Sequence, residues 1–169
     1  MRLECYGASR PQHGRTQNED AFLIQRGERP VVALCDGAGN AELAAKRVLA
    51  LFGKLIAAAS AEQLTDAAAW EHWIKILDSS LLGGSQSTFV GATVVGQLVV
   101  GACASDSRAY LLDREGRCQI LTKGASKQHL GSGAVQPFTF RLTLNFRDTL
   151  LLLSDGAWTP LPPTFCKSP

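Results

Sequence analysis

The segments with helical periodicity are gathered in the middle of this chain, between two groups of short β-prone runs. The first group has three runs, at 3–8, 20–26 and 31–35. Apolar residues at helical spacing then predict a helix from a cap at Asn40 to about Ala59. Because the helices do not alternate with strands, this order argues against a parallel βαβ sheet.

A second predicted helix follows and ends before the glycine pair at 83–84. Two starting points remain open: Ser60 and Gln63 can form a capping box, or the helix can begin at Thr65 or Asp66. Trp70 and Trp73 lie at helical spacing in this segment and are predicted to belong to the core.

The second half of the chain has the composition of strands. Runs rich in Val, Thr, Leu and Phe occupy 88–95, 98–104, 108–113, 117–122, 137–144 and 148–154. Two of the turns between them, at 96–97 and 114–116, are short enough for hairpins. We therefore expect an α+β layered fold with mainly antiparallel sheets.

Length and charge limit the number of domains and the kinds of partner. A chain of 169 residues with 46% hydrophobic content suits one domain over 1–169, with 156–169 as a proline-rich tail. A net charge of +2 without clustered basic residues indicates neither a nucleic-acid nor a membrane partner. No apolar stretch resembles a signal peptide or a membrane span, so we expect a cytoplasmic protein.

The positions of the cysteines do not predict a set of disulfides or a metal site. There are five, an odd number, and no two are spaced as C-x-x-C. We interpret them as small buried hydrophobic residues or bystanders.

Four acidic residues stand where apolar runs begin or end: Asp20, Asp36, Asp106 and Asp155. Turn capping and solvation explain any one of them. Two separate runs, however, end in the same Asp-Gly pair, and the glycine suits close approach of the backbone to a bound group. Carboxylates without a Cys/His cluster favour a hard cation such as Mg²⁺ or Mn²⁺.

A nucleotide site is the rival interpretation of the segment DGAG at 36–39. Glu42 occupies the place of the third glycine of a dinucleotide-binding turn, and Asp36 would repel the pyrophosphate. No Gly-Lys-Ser/Thr follows, so a P-loop is excluded as well.

Four segments in this order resemble the metal-dependent protein phosphatases of the type 2C class. They are RTQNED at 15–20, LCDGAG at 34–39, GAT at 91–93 with SDSR at 105–108, and LSDG at 153–156. The resemblance spans nearly the whole chain. It implies a four-layer α-β-β-α sandwich of two mainly antiparallel sheets, with two Mn²⁺ or Mg²⁺ ions at one end of the sheets.

The resemblance also implies a ligand set. Asp20, Asp36, the carbonyl of Gly37 and Asp155 would hold metal directly, and Glu19 would do so through water. Arg15 would bind the phosphate of the substrate, and Asp106 matches a residue associated with a third, weaker metal. The implied reaction is hydrolysis of phosphoserine or phosphothreonine on proteins by a metal-bridging hydroxide, with Asp36 and Arg15 as catalytic residues.

The chain departs from the family pattern in several places. Ala38 replaces a histidine of many eukaryotic members, and Ser105 replaces the usual glycine before Asp106. After Gly156 the sequence is proline-rich and lacks the family's late Asp-Asn motif, which supplies another ligand and a strand. Lys123 and Lys127, beyond the SDSR segment, are interpreted as solvated.

These departures leave three functions in view. The first is an active phosphatase acting on a phosphoprotein, shortened at the C-terminus. The second is a catalytically weak or inactive relative that binds phosphoproteins or regulates. The third is an assembly protein, because a missing strand would leave a sheet edge through which a homodimer could form.

Overall fold

The computed structural model describes residues 3–11, 13–14, 16–38, 42–162 and 165–166. Its strands are β1 (Asp20–Gln25), β2 (Val31–Ala38), β3 (Gln86–Ser87), β4 (Phe89–Val95), β5 (Leu98–Ala104), β6 (Arg108–Leu112), β7 (Cys118–Ile120), β8 (Phe138–Thr143) and β9 (Thr149–Leu153). Its helices are α1 (Glu42–Ala58), α2 (Ala61–Thr65), α3 (Ala67–Ser80) and α4 (Asp155–Trp158).

The strands form two antiparallel sheets. The large sheet has the order β1-β2-β4-β5-β8, with β3 added to the end of β2, and the small sheet has the order β7-β6-β9. Both predicted hairpin turns join neighbouring strands, β4 to β5 and β6 to β7. The α+β prediction with two antiparallel sheets is confirmed.

Alternation along the strands of the large sheet sends side chains into two separate cores. Val31, Ala33 and Cys35 of β2 face the helices, where they join Phe52 and Trp70 in one buried cluster. The intervening residues of β2, Val32 and Leu34, pack into a second cluster between the sheets. The large sheet is therefore covered on both faces.

The helices pack on the outer face of the large sheet. Trp70 and Trp73 are buried, as predicted, at 0% and 6% exposure. The second helix is broken in two, because Asp66 ends α2 and caps α3, while Ser60 and Gln63 form the capping box of α2. Both of the starting points that the sequence left open are therefore used.

The outer face of the small sheet is covered by the end of the chain. Cys118 at the start of β7 forms a disulfide with Cys166. The rings of Tyr110 and Phe165 lie 6.0 Å apart in an edge-to-face arrangement. The interpretation of all cysteines as bystanders is therefore wrong for this pair, whereas Cys35 and Cys103 are buried free thiols, as expected.

Two predicted strands differ from the structure. Residues 3–8 form no strand: they run across the ring of Phe22, and Leu3 packs into the core between the sheets. Strand β2 does not end before Asp36, because β3 pairs with Gly37 and Ala38 and extends the strand to 38. Asp36 therefore lies within β2.

Helix α1 buries one face, as its periodicity predicts, with Ala44, Val48 and Ile56 among the buried residues. Leu43, in contrast, is 68% exposed. The predicted cap, Asn40, lies outside the described residues.

Among the described residues, no helix is both long and apolar enough to cross a membrane. The cytoplasmic location stays a prediction. Strand β9 pairs with β6 alone among the described strands, so the homodimer through a sheet edge also stays a prediction.

Candidate active site

Two of the predicted ligands lie directly opposite each other in the large sheet. The register of β1 and β2 pairs Asp20 with Asp36, which places their Cβ atoms about 5 Å apart on one face. Alternation along β2 puts Asp36 on the same face as Val32 and Leu34, the face toward the small sheet. Like charges in such a pair destabilise a sheet, so the arrangement is costly without a proton or a cation.

The third carboxylate follows the last strand of the small sheet. Asp155 is the first residue of α4, directly after β9, and is exposed. The carboxyl of Asp36 lies close enough to those of Asp155 and Asp20 for both to raise its pKa. The hydroxyl of Ser154 donates to the Asp20 carboxylate at 2.9 Å, which ties the end of β9 to the start of β1.

The surroundings favour a protonated Asp36. Partial burial, followed by the charge of Asp20 and the contact with Asp155, raises the pKa of Asp36 to about 8. Burial also raises the pKa of Asp20, although the hydrogen bond from Ser154 opposes that rise. At neutral pH the cluster therefore tends to hold a proton, and a divalent cation could replace that proton.

A network of hydroxyl groups holds the backbone of Asp36. Its N–H donates to Thr88 Oγ1 at 2.9 Å, and that hydroxyl is hydrogen-bonded to Ser107 Oγ at 2.7 Å. Its carbonyl accepts from the N–H of Thr88 at 2.8 Å and from Ser87 Oγ at 3.0 Å. These contacts connect β2 to the segment before β6, across the gap between the two sheets.

The neighbouring predicted ligands are close in the fold. Gly37 is buried in β2, and its N–H donates to the carbonyl of Glu19 at 3.1 Å. Glu19 directly precedes β1 and is half-buried. Arg15, the predicted phosphate-binding residue, lies outside the described residues.

Asp106 is placed differently from the other acids. Beside partial burial, the residues that raise the pKa of Asp36 are Asp20 and Asp155. The carbonyl of Asp106 accepts a hydrogen bond from Trp158 Nε1 at 3.0 Å, and its carboxylate lies 3.4 Å from Ser105 Oγ. Asp106 therefore lies beside α4 rather than within the group of three carboxylates.

The three carboxylates have the chemistry that a hard divalent cation requires of its ligands. Within the described part of the chain, no three His, Cys, Asp or Glu side chains form a ready metal-binding group. Asp20 and Asp155 both lie near Asp36 and raise its pKa. A cation that separated them would relieve the repulsion that raises the pKa of Asp36, and carboxylate oxygens are the ligands that Mg²⁺ and Mn²⁺ prefer.

The sequence analysis missed the hydroxyl residues that support the carboxylates. They are Ser87, Thr88, Ser107 and Ser154, and all four are buried. Each stands directly beside an apolar run or an acidic residue, at the same end of the fold. That position was the signal available in the sequence, since a buried hydroxyl needs a hydrogen-bond partner.

Comparison with known proteins gives matches among solved structures only. No family model and no curated protein sequence matches this chain. A bacterial serine phosphatase is 28% identical and aligns with a TM-score of 0.79 over 93% of this chain and 78% of its own. Serine/threonine phosphatase Stp1 from Staphylococcus aureus is 26% identical, with a TM-score of 0.79, over 92% of this chain and 77% of its own.

A third structure adds a metal-bound example. The catalytic domain of serine/threonine protein phosphatase PstP, solved with two manganese ions, aligns with a TM-score of 0.77 over 93% of this chain and 79% of its own. Its identity is 23%, so this likeness shows the fold alone. In its fold, the chain is therefore similar to bacterial serine/threonine phosphatases of the type 2C class, and it aligns with about four fifths of the length of these structures.

Proposed function

We propose that this chain hydrolyses phosphoserine or phosphothreonine on proteins and uses two Mn²⁺ or Mg²⁺ ions. The observation that supports it most is the meeting of Asp20, Asp36 and Asp155 where the two sheets come together. These side chains come from three separate motifs of the sequence. A structural role gives no reason to collect three mutually repelling carboxylates, two of them half-buried, in one place.

Each residue then has a defined task. Asp36 lies between the other two acids and would bridge the ions, while Asp20 and Asp155 would each complete one side. The Gly37 carbonyl and Glu19, through water, would add oxygen ligands, and Arg15 would hold the phosphate. When bound, the cations would supply a nucleophile from water near neutral pH and neutralise charge on the phosphoryl oxygens.

The rest of the site keeps these groups in place. The hydroxyls of Ser87 and Thr88 fix the backbone on both sides of the Asp36 peptide, so its carboxylate has little freedom to turn away. Ser154 orients Asp20 by a hydrogen bond. Such support matters because displacements on the order of 1 Å in a catalytic group can cost about 100-fold in rate.

The test is hydrolysis of a phosphothreonine peptide with Mn²⁺, compared between the wild type and Asp36→Asn. We expect a loss of kcat/KM of about 100-fold or more in the variant, because one lost carboxylate weakens both ions. Asp66→Asn is the matched control: it makes the same chemical change on the helical side, and asparagine also caps a helix. Activity that survives Asp36→Asn, or that persists in excess EDTA, would reject the proposal.

The second candidate, a phosphoprotein-binding relative without turnover, has one observation in its favour. Among the described residues, no three His, Cys, Asp or Glu side chains are arranged as ligands of one metal ion. A calorimetric Mn²⁺ titration of the wild type, Asp36→Asn and Asp155→Asn separates the two functions. Two sites that are lost in Asp36→Asn support the enzyme, whereas one weak site or none supports the binding protein.

A further inference from the structure

A second concave site lies near α4, where Asp106 and Arg108 contact Trp158. It is a cavity of about 180 Å³, formed by 105–108 on one side and by Ile120, 122–125 and Lys127 on the other. We call it the lysine pocket. Its volume corresponds to roughly six water molecules in the liquid, which is enough for a carboxylate or a phosphate group with part of its hydration.

The charges that line the lysine pocket are mainly positive. Arg108, Lys123 and Lys127 lie at the pocket and carry three positive charges, both lysines being exposed, and Asp106 carries one negative charge. Three ion pairs of the described residues lie within 113–117, and none of the three involves these four side chains. The pocket therefore has two positive charges in excess that none of these pairs neutralises.

The walls of the pocket are fixed. The guanidinium of Arg108 lies 3.4 Å from the ring centre of Trp158, and its Nη1 lies 3.4 Å from the hydroxyl of Tyr110. The hydroxyl of Ser105, which is buried, donates to the carbonyl of Lys127 at 3.2 Å and holds the two walls together. A pocket held in this way loses little conformational freedom when it binds a ligand.

The pocket is close to the candidate active site. Trp158, which packs on Arg108 and donates to the Asp106 carbonyl, lies one helical turn after Asp155 in α4. One turn advances about 5 Å along a helix axis. With the 3.4 Å from the Trp158 ring to the Arg108 guanidinium, the separation is about 8 Å, which an extended peptide covers in two to three residues at about 3.3 Å each.

We propose that the lysine pocket is a subsite that binds an oxyanion of the substrate, either a carboxylate or a second phosphate, close to the phosphorylated residue. The proposal rests on the proposed function, because it assigns the class of substrate: acidic or multiply phosphorylated segments. Arg108 and the two lysines supply the charge, and the fixed guanidinium supplies planar donors that match an oxyanion.

This inference differs from the third metal ion that the family resemblance implied at Asp106. A cation in the pocket would have one carboxylate ligand and three positive neighbours, Arg108, Lys123 and Lys127. Coulomb repulsion from three charges exceeds the attraction of one at similar distances. An anion has the opposite balance.

The first arm of the test measures binding without turnover. Full-length protein in EDTA is titrated by NMR with inorganic phosphate, and separately with an unphosphorylated Glu-rich peptide, while the amides of Gly124, Ala125 and Lys127 are followed. We expect saturable shifts and an affinity that falls roughly five- to tenfold in the double variant Lys123→Gln/Lys127→Gln. The double variant Lys54→Gln/Lys75→Gln, with the same charge change on α1 and α3, should bind like the wild type.

The second arm compares three phosphothreonine peptides with Mn²⁺ present: one with a Glu about three residues from the phosphothreonine, one with Gln there, and one with phosphoserine there. We expect the pocket variant to raise KM for the Glu and phosphoserine peptides at unchanged kcat, and to leave the Gln peptide unaffected. The larger KM effect identifies carboxylate or phosphate as the preferred group.

The outcomes separate the two proposals. If no peptide is hydrolysed but the binding arm succeeds, the proposed function fails and the subsite stands. If the pocket amides do not shift with either anion, or shift equally in the pocket variant, the subsite is rejected whatever the activity. Mn²⁺ that shifts these amides in the wild type and competes with phosphate would also overturn it, in favour of a cation site.

Discussion

The two sheets of this molecule are supported in different ways. The middle strands of the large sheet, β4 and β5, are buried along almost their whole length between the helices and the small sheet. The small sheet has three strands, and its outer face depends on one disulfide and one aromatic pair from the end of the chain. The large sheet contributes Asp20 and Asp36, and the small one contributes Asp155. The candidate site therefore combines two residues of the extensively buried large sheet with one residue that follows the less covered small sheet.

The largest expected effect is loss of stability from the helical core of the large sheet. Trp70 is fully buried, its ring lies 5.7 Å from that of Phe52, and its Nε1 donates to the Leu64 carbonyl at 2.9 Å. We expect Trp70→Ala to lower the free energy of unfolding by about 3–5 kcal/mol in urea denaturation. Trp158→Ala, in the half-buried tail, should cost less than half of that. Equal losses of unfolding free energy would mean that the helical core and the tail contribute equally to stability.

The next effect concerns the disulfide of the small sheet. Cys166→Ser should lower the free energy of unfolding by about 2–4 kcal/mol relative to the oxidised protein. Hydrogen exchange should accelerate in β6 and β7, while β4 and β5 keep their protection, because the tail covers only the small sheet. Cys118→Ser should behave in the same way. Faster exchange spread evenly over both sheets would contradict the comparison.

The stability of the folded protein should depend on pH when metal is absent, because of the carboxylates between the two sheets. The folded state raises the pKa of Asp36 to about 8, far above its ordinary value of 3.8. The folded protein therefore binds more protons than the unfolded chain between these values, and its stability falls as pH rises from about 4 to about 8. Because Asp36 is only partly buried, we expect a change of about 2 kcal/mol.

Chemical denaturation in EDTA across this pH range measures the effect. Asp36→Asn should remove the decline and be more stable than the wild type at pH 8, whereas Asp66→Asn should follow the wild type. A wild-type stability that does not change over the range, or rises, would show that the carboxylates do not repel one another as the geometry indicates.

The smallest effect tests a local feature on the strongly supported side. Ser60 Oγ accepts from the Gln63 N–H at 3.2 Å, and Gln63 Oε1 accepts from the Ser60 N–H at 2.9 Å. We expect Ser60→Ala to cost about 1 kcal/mol in thermal denaturation. Ser79→Ala removes only a bond to the Lys75 carbonyl inside α3 and should cost less. The reverse order would show that the capping box contributes little.

Local patterns were sufficient to predict most elements of the fold. The hairpins, the core position of Trp70 and Trp73, and both caps near Ser60 and Asp66 follow from neighbouring residues, so the sequence shows them directly. The extension of β2 through Asp36 could not be predicted, because it depends on pairing with Gln86 and Ser87, about fifty residues later. Contacts that distant leave no periodic signal in either segment.

The covering of the small sheet was missed for a related reason. Cys118 and Cys166 are separated by 48 residues, and an odd number of cysteines without regular spacing gives no hint of a pair. The proline content of the tail correctly argued against a long helix, and α4 has four residues. Proline content cannot tell, however, which surface an irregular segment will cover.

In the candidate site, the motifs predicted which acids would be used but not how they are supported. Asp20, Asp36 and Asp155 were selected from their positions beside apolar runs and from the family resemblance. Thr88 and Ser107 could not be assigned a role, since their contact spans 19 residues and depends on the packing of two sheets. Lys123 and Lys127 were interpreted as solvated and are exposed, but their place beside a pocket between two loops has no linear pattern in the sequence.

The bond from the Asp36 N–H to the hydroxyl of Thr88 has a consequence for dynamics. Most amides inside a sheet exchange with deuterium only when neighbouring strands separate, because a backbone carbonyl holds them. The Asp36 amide is held instead by a side chain that also contacts Ser107, beside the small sheet. Its exchange rate therefore reports the stability of a side-chain contact between β2 and the segment before β4, which the bond to Ser107 links to the small sheet.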